Sequence, residues 1–206
     1  MGFVIFLALG LYLLVSVVVV GLATGHAQKK GKSALRWGGG AALVMFLIPF
    51  WDWIPTVAVH QYYCSKDAGF WVYKTLDQWK VENSGVLETL VANEGTPPTR
   101  VGDDTNFTDT YFLNKRINKV VQKKPIFSAL HIFRIKQEVI DTKTNQVLAR
   151  YVDFSSGYPN GIAGIAPRNA GITAGKFWLA NENCSGGENN YGRFLRVKRD
   201  FQGVEK

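Results

Sequence analysis

The chain has 206 residues, of which 47% are hydrophobic, and its formal net charge is +8. This length suffices for one modest domain with additional segments. The hydrophobic residues are unevenly distributed, because the first 59 positions contain almost no charged side chains outside one short basic loop. From His60 onward the sequence is mixed, with 20 Lys and Arg against 15 Asp and Glu, and this part is long enough to bury its own core.

Two apolar stretches precede that mixed part. Between Phe3 and Ala23 the only polar side chains are Tyr12 and Ser16, and the stretch from residue 37 to residue 59 contains a single charge, Asp52. A helix needs about 20 apolar residues, at about 1.5 Å each, to cross the hydrocarbon core of a bilayer. The two stretches therefore predict a two-helix transmembrane hairpin.

A secretory signal peptide is the alternative explanation of the first stretch. Signal peptides have a positive first region and an apolar region of about 7–15 residues. No Lys or Arg precedes this apolar run, and the run is longer than that, although "GLATGHA" would allow cleavage after Ala27. An uncleaved helix is therefore favoured.

The loop "TGHAQKKGKSALR" between the two stretches determines the predicted topology. It contains four basic residues and no acidic one, and short loops of this kind stay in the cytoplasm. The N-terminus and the C-terminal domain then lie outside, which in a bacterium with two membranes is the periplasmic side of the inner membrane. The topology-setting residues are Lys29, Lys30, Lys32 and Arg36. The predicted segments are transmembrane helix 1 over 1–24, a basic cytoplasmic loop over 25–36, transmembrane helix 2 over 37–59 and a periplasmic α+β domain over 60–206.

The stretch "FWDWIP" lies near the outer end of predicted helix 2, where Pro49 and Pro55 should kink or end the helix. Two interpretations of Asp52 stay open. It is a hydrated residue at the membrane surface, or an intramembrane carboxylate with a functional partner, for which Tyr12 is the candidate. Tryptophan and tyrosine collect at membrane surfaces, which favours the first interpretation. The predicted membrane-interface residues are Trp51, Asp52, Trp53, Tyr62 and Tyr63.

The first half of the outside domain mixes strand and helix patterns. "GFWVYKT" is rich in β-branched and aromatic residues and predicts a strand. "TLDQWKVEN" predicts a short helix capped by Thr75, with Leu76 and Trp79 on one face. "SGVLETLVANEG" predicts a second helix that stops at Gly95.

The second half of the domain predicts strands. "HIFRIKQEVID" and "QVLARYVDF" flank a polar turn in which Asn145 suits a left-handed backbone, so they predict a β-hairpin. "KFWLANENC" and "GRFLRVKRDF" are predicted as the last strands. The fold class expected for the whole chain is a two-helix transmembrane hairpin plus an α+β extracytoplasmic domain with an antiparallel sheet.

The two cysteines, Cys64 and Cys184, both fall in the outside domain. An even number of cysteines in an oxidising compartment predicts a disulfide between them. His60 precedes Cys64 by one helical turn, which is a permissible zinc spacing, and His131 is a further possible ligand. The disulfide is favoured over a zinc site, so no metal is predicted.

No catalytic signature is present, and neither a catalytic residue nor a cofactor is predicted. "GITAGKF" differs from a phosphate-binding loop in its spacing, and Phe177 stands where that loop requires Ser or Thr. The alternative function is an envelope enzyme in which the glycine-rich loop over 155–175 acts as a lid.

Two basic clusters indicate possible partners. They would suit lipid headgroups or an acidic protein, and nucleic acid is not expected outside the cytoplasm. The leading hypothesis is a membrane-anchored interaction module that binds a protein or envelope component, either as an accessory subunit or as an immunity-like protein, with membrane lipid around its helices. Its oligomeric state is left open. The basic-patch residues are Lys115, Arg116, Lys119, Lys123, Lys124, Arg193, Arg196, Lys198 and Arg199.

Overall fold

The computed structural model describes residues 2–93, 95–156, 182–184 and 187–203. Over these residues the chain has five α-helices and seven β-strands. These residues divide into two compact units, the first within residues 2–57 and the second formed by those from 58 onward. We call the described residues of the first the helical unit and those of the second the sheet domain.

Two antiparallel helices make up most of the helical unit: α1 spans Gly2–Lys29 and α2 spans Ala34–Phe50. Gly38 of α2 lies close to Thr24 of α1. A β-carbon at Gly38 would lie 2.4 Å from Cγ2 of Thr24, so a larger residue there would require the Thr24 side chain or the helices to shift. Small residues allow membrane helices to approach in this way.

One segment of α1, Leu7–Lys29, is long and apolar enough to cross a membrane, and a signal sequence near the N-terminus would pass the same test. Its apolar side chains are largely exposed, for example Val17 at 70%. α2 passes only when combined with the helix that follows it. The described residues therefore contain one candidate span. A second is present only if α2 and the helix after it together form a single bent span. The two-span hairpin remains a prediction.

A hydrogen bond from Tyr12 compensates for a proline in the facing helix. Pro49 lies inside α2 and has no backbone N–H, so the carbonyl of Met45, four residues earlier, loses its helical donor. The hydroxyl of Tyr12 donates to that carbonyl. Tyr12, the candidate partner of Asp52 in the sequence analysis, therefore bonds the backbone carbonyl of Met45 in the structure.

The helix expected over 37–59 is interrupted between the two prolines. α2 ends at Phe50, and α3 spans Trp53–Asp67 after a bend of 56°. This confirms the predicted kink.

Asp52 immediately precedes α3, and its carbonyl accepts the backbone N–H of Thr56 at 3.0 Å. This is the N-cap position of a helix, where aspartate is preferred and a negative charge is stabilised by the helix dipole. Pro55 is tolerated in the first turn because the first backbone N–H groups of a helix have no helical acceptor. The side chain of Asp52 is 1% exposed, which differs from the hydrated carboxylate that the first interpretation expects.

The sheet domain is built on one antiparallel sheet in the order β1-β6-β5-β4-β3-β2, and short β7 pairs with the end of β6. Every strand pair is antiparallel, so the predicted α+β domain with an antiparallel sheet is confirmed. The strands are β1 Gly69–Val72, β2 Thr99–Gly102, β3 Phe107–Phe112, β4 Ile117–Phe127, β5 Ile132–Asp141, β6 Gln146–Ser156 and β7 Glu182–Asn183.

Two helices, α4 (Leu76–Glu82) and α5 (Gly187–Asp200), pack on what we call the helix face of the sheet. Trp79 of α4 and Phe194 of α5 are buried there against Ala149 and Tyr151 of β6. The alternate residues of β6 point to the opposite face. Among them Phe154 stacks on Tyr63 of α3.

Several local predictions are confirmed in this domain. β5 and β6 form the expected hairpin, and Asn145 in its turn has the expected left-handed backbone, with φ of 54°. Thr75 caps α4 through a reciprocal pair of hydrogen bonds with Gln78. Each of these predictions rests on residues close in sequence.

Two predictions of secondary structure are wrong. "GRFLRVKRDF" lies in a helix, α5, because Phe194, Val197 and Phe201 recur at the spacing of one helix face and pack on the core. "SGVLETLVANEG" forms only a single 3-10 turn, Leu87–Thr89, rather than an α-helix. A helix starting after Gly85 would have to nucleate within about two turns, and nucleation is costly.

Candidate functional site

A basic surface is formed by α5. Its inner side contributes Phe194, which is fully buried. Arg193, Arg196 and Arg199 lie at three-residue intervals and are exposed. No ion pair within 4.0 Å involves these three arginines in the part of the chain that the structure describes. The guanidinium of Arg193 lies over the ring of Phe70, 5.4 Å from its centroid.

The structure places some members of each predicted basic cluster on the helix-face side of the domain. Lys119 of β4 aligns across the sheet with Val139 and Ala149, which pack beneath the helices. Burial lowers the pKa of Lys119, and repulsion by Lys198 of α5 lowers it further. The two lysines, far apart in sequence, thus interact electrostatically. Lys123, four residues further along β4, lies over the ring of Phe133.

Arg116 is used inside the fold. Its Nη2 lies 2.9 Å from Oδ2 of Asp141 and donates to Oδ1 of Asn83 at 2.6 Å, and the guanidinium lies over the ring of Trp79. Burial alone would raise the pKa of Asp141, but hydrogen bonds from Arg116 and Trp79 outweigh it, so the pKa lies below its ordinary value. Arg116 was predicted to be a surface cation because the sequence does not show that Asp141 lies beside it.

Lys124 lies on the opposite face, because it aligns with Arg134 and Phe154. Of the remaining predicted patch residues, Lys115 is exposed in the turn before β4. The nine residues therefore do not form one patch. The α5 arginines, Lys119, Lys123 and Lys198 belong to the helix-face side of the domain.

Sequence reasoning missed a second set of cations on the opposite face. Lys136 and Arg150 both pair with Glu138, at 2.9 and 2.7 Å. Burial raises the pKa of Glu138, but hydrogen bonds from these two cations lower it overall. Arg150 also lies over Tyr73 and lines a cavity of about 370 Å³ with Arg134. Arg150 comes from the neighbouring strand β6, so only the strand register could have revealed its pairing with Glu138, whereas Lys136 and Glu138 lie two residues apart on β5.

The predicted disulfide between Cys64 and Cys184 is present, with their Cα atoms 5.3 Å apart. It joins α3 to the residue that follows β7. His60 lies beside it, with Nε2 3.5 Å from Sγ of Cys64. His60, Cys64 and Cys184 place their potential ligand atoms within 4.8 Å of one another, and His131 is not in this group. The His60-x3-Cys64 spacing was the sequence signal for this arrangement.

The predicted membrane-interface residues divide between exposed and packed positions. Trp51, Trp53 and Tyr62 are exposed, whereas Asp52 is buried and Tyr63 stacks on Phe154. The four topology-setting cations lie at the end of α1, in the turn and at the start of α2, where Lys32 also lies over the ring of Trp37. Residues 157–181, which include most of the loop proposed as a lid, lie outside the described residues.

Comparison of the chain with protein-family models, with curated proteins and with solved structures finds no match.

Proposed function

We propose that this protein is an interaction module, anchored in a bacterial inner membrane by a two-helix hairpin, that presents its sheet domain in the periplasm to an acidic protein partner. The candidate span in α1 and the short basic loop after it support the anchor and its orientation. The disulfide fits an oxidising compartment.

The observation that carries this proposal is the row of three exposed arginines on α5. Ion pairs use Arg100, Arg116 and Arg150 of the sheet domain internally, but Arg193, Arg196 and Arg199 have no acidic partner among the described residues. A guanidinium presents a rigid fork of donors that matches a carboxylate. Three such groups in a row on a helix anchored in a packed core suit a segment bearing several carboxylates.

The partner can be tested by comparing two variants of the full chain in which basic residues are replaced by glutamine, each purified in detergent from its native membrane. Arg193→Gln, Arg196→Gln and Arg199→Gln together should abolish capture of a stoichiometric partner. The matched control is Lys124→Gln with Arg134→Gln, which removes exposed cations from the opposite face and should leave capture intact. Capture that survives the α5 triple variant would overturn the assignment.

The orientation has its own test. Reporter fusions after Gly31 should be active only in the cytoplasm, and fusions after Lys206 only outside, because four basic residues hold the loop inside. A cytoplasmic C-terminus would contradict both the orientation and the periplasmic partner.

A further inference from the structure

Three side chains with metal-binding atoms converge where α3 meets the end of β7. His60 and Cys64 lie one helical turn apart on α3, and Cys184 is brought to them by the pairing of β7 with β6. His60 and Cys184 are each 7% exposed, and Cys64 is partly exposed. The site is therefore shielded on two sides but accessible from the side of Cys64.

The hydrogen bond of His60 fixes which ring nitrogen can bind a metal. Nε2 lies 3.0 Å from the carbonyl oxygen of Phe154. A carbonyl can only accept, so Nε2 carries the proton and Nδ1 keeps its lone pair. Metal-binding histidines are oriented in this way by a backbone carbonyl or carboxylate on the other nitrogen.

The position of Cys184 is supported in the same manner. Its backbone N–H donates to Oδ1 of Asp153 at 3.1 Å. The other oxygen of Asp153 accepts the hydroxyl proton of Tyr151 at 2.8 Å, and Asp153 is itself buried. A hydrogen-bonded carboxylate therefore holds the main chain that presents the sulfur of Cys184.

We propose that reduction of the Cys64–Cys184 disulfide converts this cluster into a zinc site with His60 Nδ1 and the two thiolates as ligands. Tetrahedral zinc, with bonds of about 2.3 Å to sulfur and 2.0–2.1 Å to nitrogen, places a sulfur and a nitrogen ligand roughly 3.6 Å apart and two sulfurs roughly 3.8 Å apart. Nδ1 of His60 is already 3.9 Å from Sγ of Cys64. Two changes are required: separation of the two sulfurs, which breaking their bond allows, and a rotation of the His60 ring that directs the Nδ1 lone pair at the metal, because Nε2 now lies closer to Sγ of Cys64, at 3.5 Å. The fourth position is left for water or another ligand.

The chemistry is a redox-controlled exchange. A dithiol reductant supplies two electrons and two protons, converts the disulfide to two thiols and becomes a disulfide itself. Zinc then binds the two thiolates and releases both thiol protons. Oxidised protein cannot bind zinc here, because the sulfur lone pairs that remain in a disulfide are not thiolate ligands. This inference does not depend on the acidic partner or on the compartment.

The experiment uses the full chain in detergent, purified with a tag that contains no histidine. Zinc binding is measured by competition with a chromophoric chelator, before and after reduction, and Co²⁺ replaces zinc to give a thiolate charge-transfer band. We expect one zinc per chain after reduction and none before it. His60→Gln should weaken binding at least about tenfold, since losing even a supporting residue of a metal site costs 10–100-fold. Cys184→Ser should abolish it.

The matched control is His131→Asn, because His131 has a left-handed backbone that asparagine tolerates and lies outside the cluster. Its reduced form should bind zinc as the parent does. Two alkylatable thiols without metal binding, or unchanged affinity in His60→Gln, would overturn the proposal. If reduction unfolds the domain, recovery of its circular dichroism on adding zinc supports the site, and failure to recover overturns it.

Discussion

The helical unit and the sheet domain each contain a polar group that would be costly to bury alone, and they treat it differently. In the helical unit the freed carbonyl of Met45 receives a neutral hydroxyl from Tyr12. In the sheet domain the carboxylate of Asp141 receives the indole N–H of Trp79 at 2.9 Å and the guanidinium of Arg116. The two arrangements differ in what their loss leaves behind, because an unpaired buried charge costs far more than an unpaired neutral group. Loss of the neutral Tyr12–Met45 bond should therefore change stability little, whereas loss of the Asp141–Arg116 pair should change it strongly.

The largest effect should come from Asp141→Asn, which leaves Arg116 buried without its counter-charge. Breaking a buried ion pair on one side costs about 3–5 kcal/mol. Chemical denaturation of the full chain in detergent, followed by tryptophan fluorescence, should show a loss of this size in the free energy of unfolding of the sheet domain. Asp104→Asn is the control, because Asp104 is fully exposed and should change stability by no more than about 0.5 kcal/mol. Equal effects of the two variants would contradict a structural role for the pair.

The Asp141 network also shows what the sequence could and could not predict. Thr75, Asn145 and the β5–β6 hairpin were predicted because their signals lie within a few residues. Arg116 was assigned to the surface because its partner, Asp141, lies 25 positions away and is defined only by the register of β4 against β5. The disulfide was predictable because only one pairing of two cysteines exists.

Two other features carried a sequence signal that was missed. Phe194, Val197 and Phe201 have helical spacing, but the alternation of arginines with apolar residues in this segment resembles the pattern of a strand with one polar face. Pro49 within a helix implies an unsatisfied carbonyl at Met45, and Tyr12 was the one hydroxyl of helix 1 already considered as a partner for helix 2. The contact itself depended on how α1 and α2 pack, which no local pattern provides.

Reduction of the disulfide should have the next largest effect. The bond joins residues 120 apart in sequence, and disulfides typically contribute about 2–4 kcal/mol by restricting the unfolded chain. Reduced protein in the presence of a chelator should lose stability by this amount, with the loss confined to the sheet domain. A Cys64→Ser/Cys184→Ser variant should match it and show no further change on reduction. Free thiols at both positions in non-reduced protein from the native membrane would contradict the bond.

Acid should destabilise the sheet domain through its paired carboxylates. The pKa values of Glu138 and Asp141 are below their ordinary values, so the unfolded chain binds more protons than the folded one as pH falls. The stability from these groups is present above their ordinary pKa values, near 4, and is lost as pH drops through the lower folded values. Denaturation measured between pH 3 and 6 should show this decline, and Asp141→Asn should have a shallower one. An identical slope in that variant would remove Asp141 as a contributor.

The smallest effect tests the neutral bond of the helical unit. Tyr12→Phe leaves the Met45 carbonyl without a donor, which should cost about 1 kcal/mol locally, because hydrogen bonds between membrane helices contribute little more than that. Hydrogen exchange of the α2 amides around Met45 should then accelerate about fivefold, since 1.4 kcal/mol corresponds to a factor of ten. In a Pro49→Ala background the same substitution should have almost no effect, because the N–H of the new alanine can bond the Met45 carbonyl within the helix. Full additivity of the two substitutions would show that Tyr12 stabilises α2 by packing rather than by replacing the donor that Pro49 lacks.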